Sequence, residues 1–595
     1  MSVPYKETDT QAEVAHVERA PAPAAASKAS DGRDQVLEHD IAAFEERKLD
    51  FRTAMAIVAA LLSYVLPVAI LFTIDADIGP SGQINWIATA WSLATAVVQT
   101  IAGRCSDIFG RRNFTIAGNL FGLIAGILHG LTMDYSRATS VNTVIAGTAL
   151  MGIGSGPQQL SFACANEIVP KKSRGQTLAF LNLAALPGSA FGSVIAYALV
   201  ANLSWRWAFY VGIIANGFAL ILITIFYWPP GFVGLHPEGK SRLQQFKELD
   251  FLGLILFGGG LTSFLLGLSF GNNPYPWSSA RVLVPLLIGA ATFLIAFPIW
   301  EVYSPDTITK LCPPAVFKNV RGFTLPLCVI FVSGMLLISL QVLWPQEVQL
   351  LFTTVPTTVG WYSLSYNAAS TLGALVSGVL FARIRRTRWQ FLVVTILQTI
   401  FIASMASVDQ HTPRRAIGLV IVAAFSVGAS QIIGLLIIQF GAKDCQIGVA
   451  TGATGGAIAI AIYGSIIQDK VSQDLAPGVA AAAIEAGLAP SAVVSFIEAL
   501  TSRSAAALGA VEGITPAIIA AGAKAVQTVY ADAFRLVYLV SLAFGGISII
   551  AAIFVRSVDD ALTSQVAVKL GAPHLLPGHG TGDAGVISKE IDEVN

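Results

Sequence analysis

The segment Gly103-Arg-Cys-Ser-Asp107-Ile-Phe-Gly110-Arg111-Arg112 is a short charged loop set between two apolar runs, residues 84–102 and 114–132. Each run is long enough to cross roughly 30 Å of hydrocarbon as a helix. Reading outward, such runs recur at 53–74, 142–162, 177–200, 207–228, 250–270, 282–300, 324–343, 359–382, 389–407, 415–440, 447–467 and 533–555. The pattern predicts an all-α membrane protein with 14 transmembrane helices. With 595 residues, such a chain has little mass outside the bilayer, so its function is expected to lie among the helices.

Composition agrees. The chain is 54% hydrophobic and 12% charged, with mean hydropathy +0.68, and its 54 glycines suit helix packing in lipid. Lys+Arg and Asp+Glu balance at 36 each, which excludes a broadly basic nucleic-acid surface. Cys105, Cys164, Cys312, Cys328 and Cys445 have no C-x-x-C spacing, so a disulfide framework is not expected. Seven histidines without an H-x-x-H grouping argue against a membrane-embedded enzyme or a metal site. An ATP-driven pump is excluded by the lack of a G-x-x-x-x-G-K-[ST] loop. No cofactor is expected.

Orientation follows from the short loops. Those after even-numbered spans hold about 17 Lys and Arg against about 5 in the opposite set, a positive-inside bias that places both termini in the cytosol. Arg414 and Arg415 fall on the opposite side. Residues 1–50 lack the basic start and apolar core of a signal peptide and are expected to be a disordered cytosolic tail, with a second tail over 556–595. Between them, 53–228 is expected to form an N-terminal six-helix bundle and 324–555 a C-terminal one. Residues 229–323 would supply cytosolic linkers and two extra transmembrane helices. The second bundle includes a long outer loop, 468–531, whose Ala-rich stretches carry helical spacing and are expected to lie as short helices on the outer membrane face.

In the opening segment, Gly103 lets span 2 press against a neighbour, Asp107 can cap the next helix or pair with an arginine, and Gly110 supports the tight turn before Arg111 and Arg112. A charged latch of this kind can make and break as two bundles rock. A worn copy follows span 10, Gly378-Val-Leu-Phe-Ala382-Arg383-Ile-Arg385-Arg386, with equal spacing from Gly378 to Arg386 but alanine in place of the acid.

The first motif resembles the loop 2–3 signature of the major facilitator superfamily, and the span count with its central extra pair resembles the 14-span drug:proton antiporter branch. Similar to that branch are Trp86-Ile-Ala-Thr-Ala-Trp91, Ser204-Trp205-Arg206-Trp207-Ala-Phe209 and Pro274-Tyr275-Pro276-Trp277. Met151-Gly-Ile-Gly-Ser-Gly-Pro157-Gln158-Gln159, Leu343-Trp344-Pro345-Gln346-Glu347-Val348 and Tyr530-Ala-Asp532-Ala-Phe-Arg535 resemble fungal trichothecene-efflux-type and siderophore-type members. The chain departs from the branch in two places. Span 4 reads Ile145-Ala146-Gly147-Thr148 where the branch carries an arginine thought to handle protons, and span 5 offers Pro187, Gly188 and Gly192 in altered order within its helix-packing motif.

Charges deep inside spans are costly and mark ion paths. Asp75 and Asp77 after span 1, and Glu347 after span 9 beside a helix break at Trp344-Pro345, are the candidate proton or charge sites. Tyr64, Gln99, Gln158, Gln159, Asn182, Gln341, Asn367 and Gln431 are candidates to line a central cavity for a bulky amphipathic solute, with about half of such residues serving as interhelical glue. The expected function is secondary active export of amphipathic toxins or drugs across the plasma membrane by alternating access in exchange for protons, the chain acting as a monomer. Transport of a ferric siderophore by the same fold is the alternative.

Overall fold

The computed structural model describes residues 69–78, 86–132, 141–168, 173–184, 186–226, 242–271, 275–305, 307–441, 446–501 and 511–562. Among them there is no strand; the backbone is helix after helix, with isolated bridges at Leu249–Thr309 and Gly271–Tyr275. The first half contains α1 (Leu71–Ile78), α2 (Trp86–Phe109), α3 (Arg111–Thr132), α4 (Val141–Ile168), α5 (Arg174–Ala184), α6 (Leu186–Ser189), α7 (Gly192–Asn202) and α8 (Trp207–Phe226). The middle contains α9 (Arg242–Lys247), α10 (Phe251–Phe270), α11 (Ala280–Ala291), α12 (Phe297–Tyr303) and α13 (Pro314–Phe317). The second half contains α14 (Leu325–Glu347), α15 (Pro356–Ile384), α16 (Thr387–Ser404), α17 (Pro413–Gly441), α18 (Gln446–Glu485), α19 (Val493–Thr501) and α20 (Pro516–Phe554).

Nine helical stretches among the described residues are long and apolar enough to cross a membrane. Three more, α3, α4 and α18, reach 22, 28 and 40 residues, ample length for a bilayer at about 1.5 Å per residue. Outward faces are apolar: Ile214, Ile255, Leu287 and Leu294 are all exposed. Water would penalise such faces, whereas hydrocarbon does not.

Within the first half, α4 packs on both α2 and α3, and α3 on α8. Within the second, α14 packs on α18, α17 on α15 and α16, and α20 on α16 and α18. Two seams join the halves: α2 lies against α18, while α5 and α7 lie against α15. The α10/α11 pair is a hairpin whose first helix touches α2 and α18, burying Leu93, Phe257, Leu261, Leu265, Ala457 and Ile458 together. Asp250 caps α10 by accepting from Gly253 N–H at 2.7 Å and holds the returning helical arm through Trp300 Nε1 of α12 at 2.8 Å.

Four boundaries differ from the sequence expectation. Helix α1 runs to Ile78, so Asp75 and Asp77 lie on the helix instead of after it. Span 5 is not one helix: α5, α6 and α7 replace it, the interruption falling where Pro187 removes a main-chain donor and Gly188 lowers the cost of bending. Span 9 does not stop at residue 343 or break at Pro345. The apolar stretch covers Val320–Phe352, opening and closing with π-helical turns at Val320–Thr324 and Val348–Phe352, so Glu347 sits inside it. Pro345 lies inside the α-helix Leu325–Glu347, which continues past it, and the π-helical turn follows only at Val348.

The fourth difference is the stretch 468–531. Helix α18 continues to Glu485, and α20 begins at Pro516, well before residue 533. Lys470 and Asp474 pair at 2.6 Å, one turn apart, so the charges that look like a loop are an exposed helical face. Their extensions and α19 enclose a core of Val479, Ala483, Leu488, Val493, Phe496 and Ile518, so this region is a packed helical unit and not a loop with isolated short helices.

Candidate functional site

The two seams bring polar side chains together in otherwise apolar surroundings. At the α5–α7/α15 seam, Asn367 Nδ2 donates to Ser193 Oγ at 2.7 Å, and the Ser189 and Thr371 hydroxyls lie 3.3 Å apart. Both contacts sit at or beside the interruption of span 5. Gly192 is buried there, Gly188 is partly buried and Pro187 is exposed.

Helices α5 and α15 meet backbone to backbone at the end carrying the arginine-rich turns. A Cβ on Gly175 would stand 2.5 Å from Gly378 O, and one on Gly378 would stand 2.6 Å from Gly175 O. Only glycine at both positions permits this backbone contact. At the opposite end Gly360 meets Val194 and Tyr197, so α15 touches the broken span along its whole length.

Within the first half, Gln99 Nε2 of α2 donates to Gln159 Oε1 at 2.9 Å and Trp91 Nε1 to Ser155 Oγ at 3.0 Å, tying α2 to α4 and fixing the helix that faces α18. Three buried acceptors or donors on the two helices of the α2/α18 seam, Ser92 Oγ, Gln99 Oε1 and Tyr463 Oη, have no hydrogen-bond partner among the described residues. All of them are neutral. Buried groups left this way are costly unless something else satisfies them.

Several other expected cavity residues are engaged between helices. Gln158 Nε2 donates to Asn119 Oδ1 at 3.2 Å and to Asn216 Oδ1 at 2.8 Å, and all three side chains are buried, joining α4, α3 and α8. Asn182 donates to Leu178 O in its own helix at 2.8 Å. Gln341 is partly buried on α14, and Gln431 faces Gly452 of α18. Tyr64 lies outside the described residues. An apolar cavity of about 680 Å³ lies between α2, α4 and α10, lined by Trp86, Leu93, Val97, Ile145, Leu266 and Phe270 among others, and none of the expected residues reaches it.

Of the candidate charges, Glu347 is almost fully buried and accepts a hydrogen bond from Tyr538 Oη of α20. Trp344, one turn before it, is also buried and donates through Nε1 to Tyr362 O at 3.1 Å. Asp77 accepts from Trp205 Nε1 at 2.8 Å and from Arg206 Nη1 at 3.1 Å, and that guanidinium stacks on the Trp205 ring. It is therefore an exposed clamp between α1 and the α7–α8 turn. The side chain of Asp75 lies outside the described residues.

In the first motif, Gly103 is partly buried and Gly110 ends α2 with φ +89°, a backbone that glycine adopts without penalty. Arg112 reaches across to Thr224 O at 2.7 Å. The side chains of Asp107 and Arg111 lie outside the described residues. In the second motif Arg383 is exposed, while Arg385 and Arg386 both take positive φ, 54° and 51°. Sequence reasoning missed Tyr538, Ser193, Asn119 and the two serines, Ser333 and Ser430, that join Gln398 in a network linking α14, α16 and α17.

Comparison with known proteins matches residues 12–574 to the fungal trichothecene efflux pump family (TRI12). The trichothecene efflux pump of Fusarium sporotrichioides is 31% identical over 504 residues, 83% of each chain. That of Trichoderma arundinaceum is 31% identical over 515 residues, 84% of each chain. Among solved structures, the xylose transporter XylE of E. coli in a partially occluded inward-open state covers 70% of this chain and 90% of its own, at 12% identity and TM-score 0.45. These relatives are transporters and not enzymes, and the chain belongs to the fungal trichothecene efflux pump family.

Proposed function

We propose that this protein exports bulky, neutral, amphipathic toxins of the trichothecene kind across the plasma membrane by alternating access, in exchange for protons. The observation that carries the reading is the seam between α2 and α18, on whose helices three buried neutral polar atoms, Ser92 Oγ, Gln99 Oε1 and Tyr463 Oη, have no partner among the described residues. A solute with a few hydroxyls and a carbon skeleton would satisfy them. A charged nutrient would find no counter-charge in that set.

Fourteen spans in two six-helix bundles with an inserted pair account for the helices. The nine apolar stretches, the three further long helices and the broken span 5 leave one span to the segment ending in α1. The halves are then α1–α8 and α14–α20, with both termini and the arginine-rich turns in the cytosol. Gly175 and Gly378 form the tightest contact of the cytosolic seam, and the latch of Asp107, Arg111 and Arg112, with its counterpart Arg383 and Arg386, opens and closes it. Glu347, buried against Tyr538, is the proton-carrying acid, a role that would stand in for the arginine span 4 lacks.

The test is expression in yeast lacking its own multidrug exporters, following accumulation of labelled trichothecenes, drugs and ferric siderophores with and without a protonophore. Lowered toxin accumulation that the protonophore abolishes is the expected result. Raised accumulation of a siderophore would overturn the reading.

A further inference from the structure

Three separate segments deliver cations to one cavity of about 570 Å³: Lys318 and Arg321 at the entry to span 9, Arg388 at the start of α16, and Arg556 just beyond α20. None of the four forms an ion pair among the described residues. Charges that only fix topology need to lie on the right side of the membrane and have no reason to converge. Convergence without an acid is repulsive, and an anion in the cavity relieves it.

Two of the cations are held in place by the main chain. Arg321 Nε donates to Phe554 O at 3.0 Å and Arg388 Nη2 to Ile553 O at 2.5 Å, so both arginines cap the last carbonyls of α20. Each spends one donor on the tether and keeps others for a ligand, and the buried Nε of Arg388 has no partner. A guanidinium fixed by one bond and open at the rest suits a phosphate oxygen. Asp559, which follows the cavity-lining Ser557 by two residues, is taken up by Thr387 N–H at 3.0 Å and by the Ser557 hydroxyl at 2.7 Å. Next to the cations, Val320 and Phe554 are 51% and 54% exposed, an apolar surface on which an acyl chain can lie.

We propose that this cavity binds the phosphate-bearing head of an anionic phospholipid, with its chains along Val320 and Phe554. The choice of the cytosolic leaflet rests on the topology proposed above; the phosphate chemistry does not. Basic pockets between helix ends on that side suit anionic head groups.

The full chain would be reconstituted in phosphatidylcholine vesicles with or without phosphatidylinositol phosphate, then extracted, and the retained lipid read by native mass spectrometry. Soluble inositol bisphosphate would be offered in a parallel arm. The variant is Lys318→Gln with Arg556→Gln, whose side chains make no hydrogen bond among the described residues, so both tethers remain. Arg414→Gln with Arg415→Gln removes the same charge elsewhere. At about 1 kcal/mol per basic residue, retention of the phosphoinositide is expected to weaken roughly thirtyfold in the first variant and to stay unchanged in the second. Equal loss in both variants, or no preference over phosphatidylcholine, would overturn the proposal. Equal binding of inositol bisphosphate would overturn its lipid half. Retention is read without transport, so failure of the export reading leaves this result standing, and the reverse.

Discussion

Arg385 occupies the turn between α15 and α16 as Gly110 occupies the turn between α2 and α3: each stands seven residues after its motif glycine, Gly378 and Gly103, and each has positive φ, 54° and 89°. The repeat has lost the glycine but kept the backbone it served. Arg112 and Arg388 extend the parallel, each reaching a carbonyl near the end of the helix it packs against, Thr224 and Ile553.

Arg385 has ψ −153°, a combination that belongs to glycine. Arg385→Gly is therefore expected to raise stability by about 1 kcal/mol, and Gly110→Ala to lower it by a similar amount. Thermal unfolding of the purified variants checks both signs.

Gln158 is the single donor shared by two buried asparagine oxygens, Asn119 Oδ1 and Asn216 Oδ1. Gln158→Leu leaves both unsatisfied and is expected to cost about 2–3 kcal/mol. Asp77→Asn, at an exposed pair, is expected to cost no more than about 1 kcal/mol, and less at high salt. Unfolding of the two variants at low and high salt distinguishes a buried network from a screened clamp.

Burial would raise the carboxyl of Asp559, but bonds from the Ser557 hydroxyl and Thr387 N–H outweigh it and hold the group below the usual carboxylate range. A depressed acid stabilises the folded state above its unfolded pKa and loses that contribution as pH falls through the folded pKa. The effect is small because the group is only partly buried and solvent screens it. Stability measured against pH should fall on the acid side, less steeply in Asp559→Asn.

The helical class and the glycine-marked turn were legible because hydrophobic length and Gly110 act locally. Helix ends were not. Lys470 and Asp474 read as loop charges, yet they pair along an exposed helical face, and Pro345 reads as a break, yet the α-helix runs through it to Glu347. The polar candidates were recognisable as polar residues in apolar runs. Which of them meet was not, because Asn367–Ser193 and Glu347–Tyr538 join residues 174 and 191 positions apart, and small hydroxyl residues look like packing.

The broken span 5 also yields a prediction. Gly378→Val would drive its side chain into Gly175 O, so the seam beside the arginine-rich turns is expected to stay open and export to fall at least tenfold while surface delivery persists. Asp107→Asn should likewise cut export without loss of expression. Surface labelling beside efflux rates measures both.

The most direct test of proton-driven export is efflux of a labelled trichothecene from proteoliposomes under an imposed pH gradient, comparing the native chain with Glu347→Gln. The account predicts gradient-driven movement in the native protein, and in the variant retained substrate binding with loss of the response to the gradient. Gradient-driven efflux at the native rate in Glu347→Gln would contradict it.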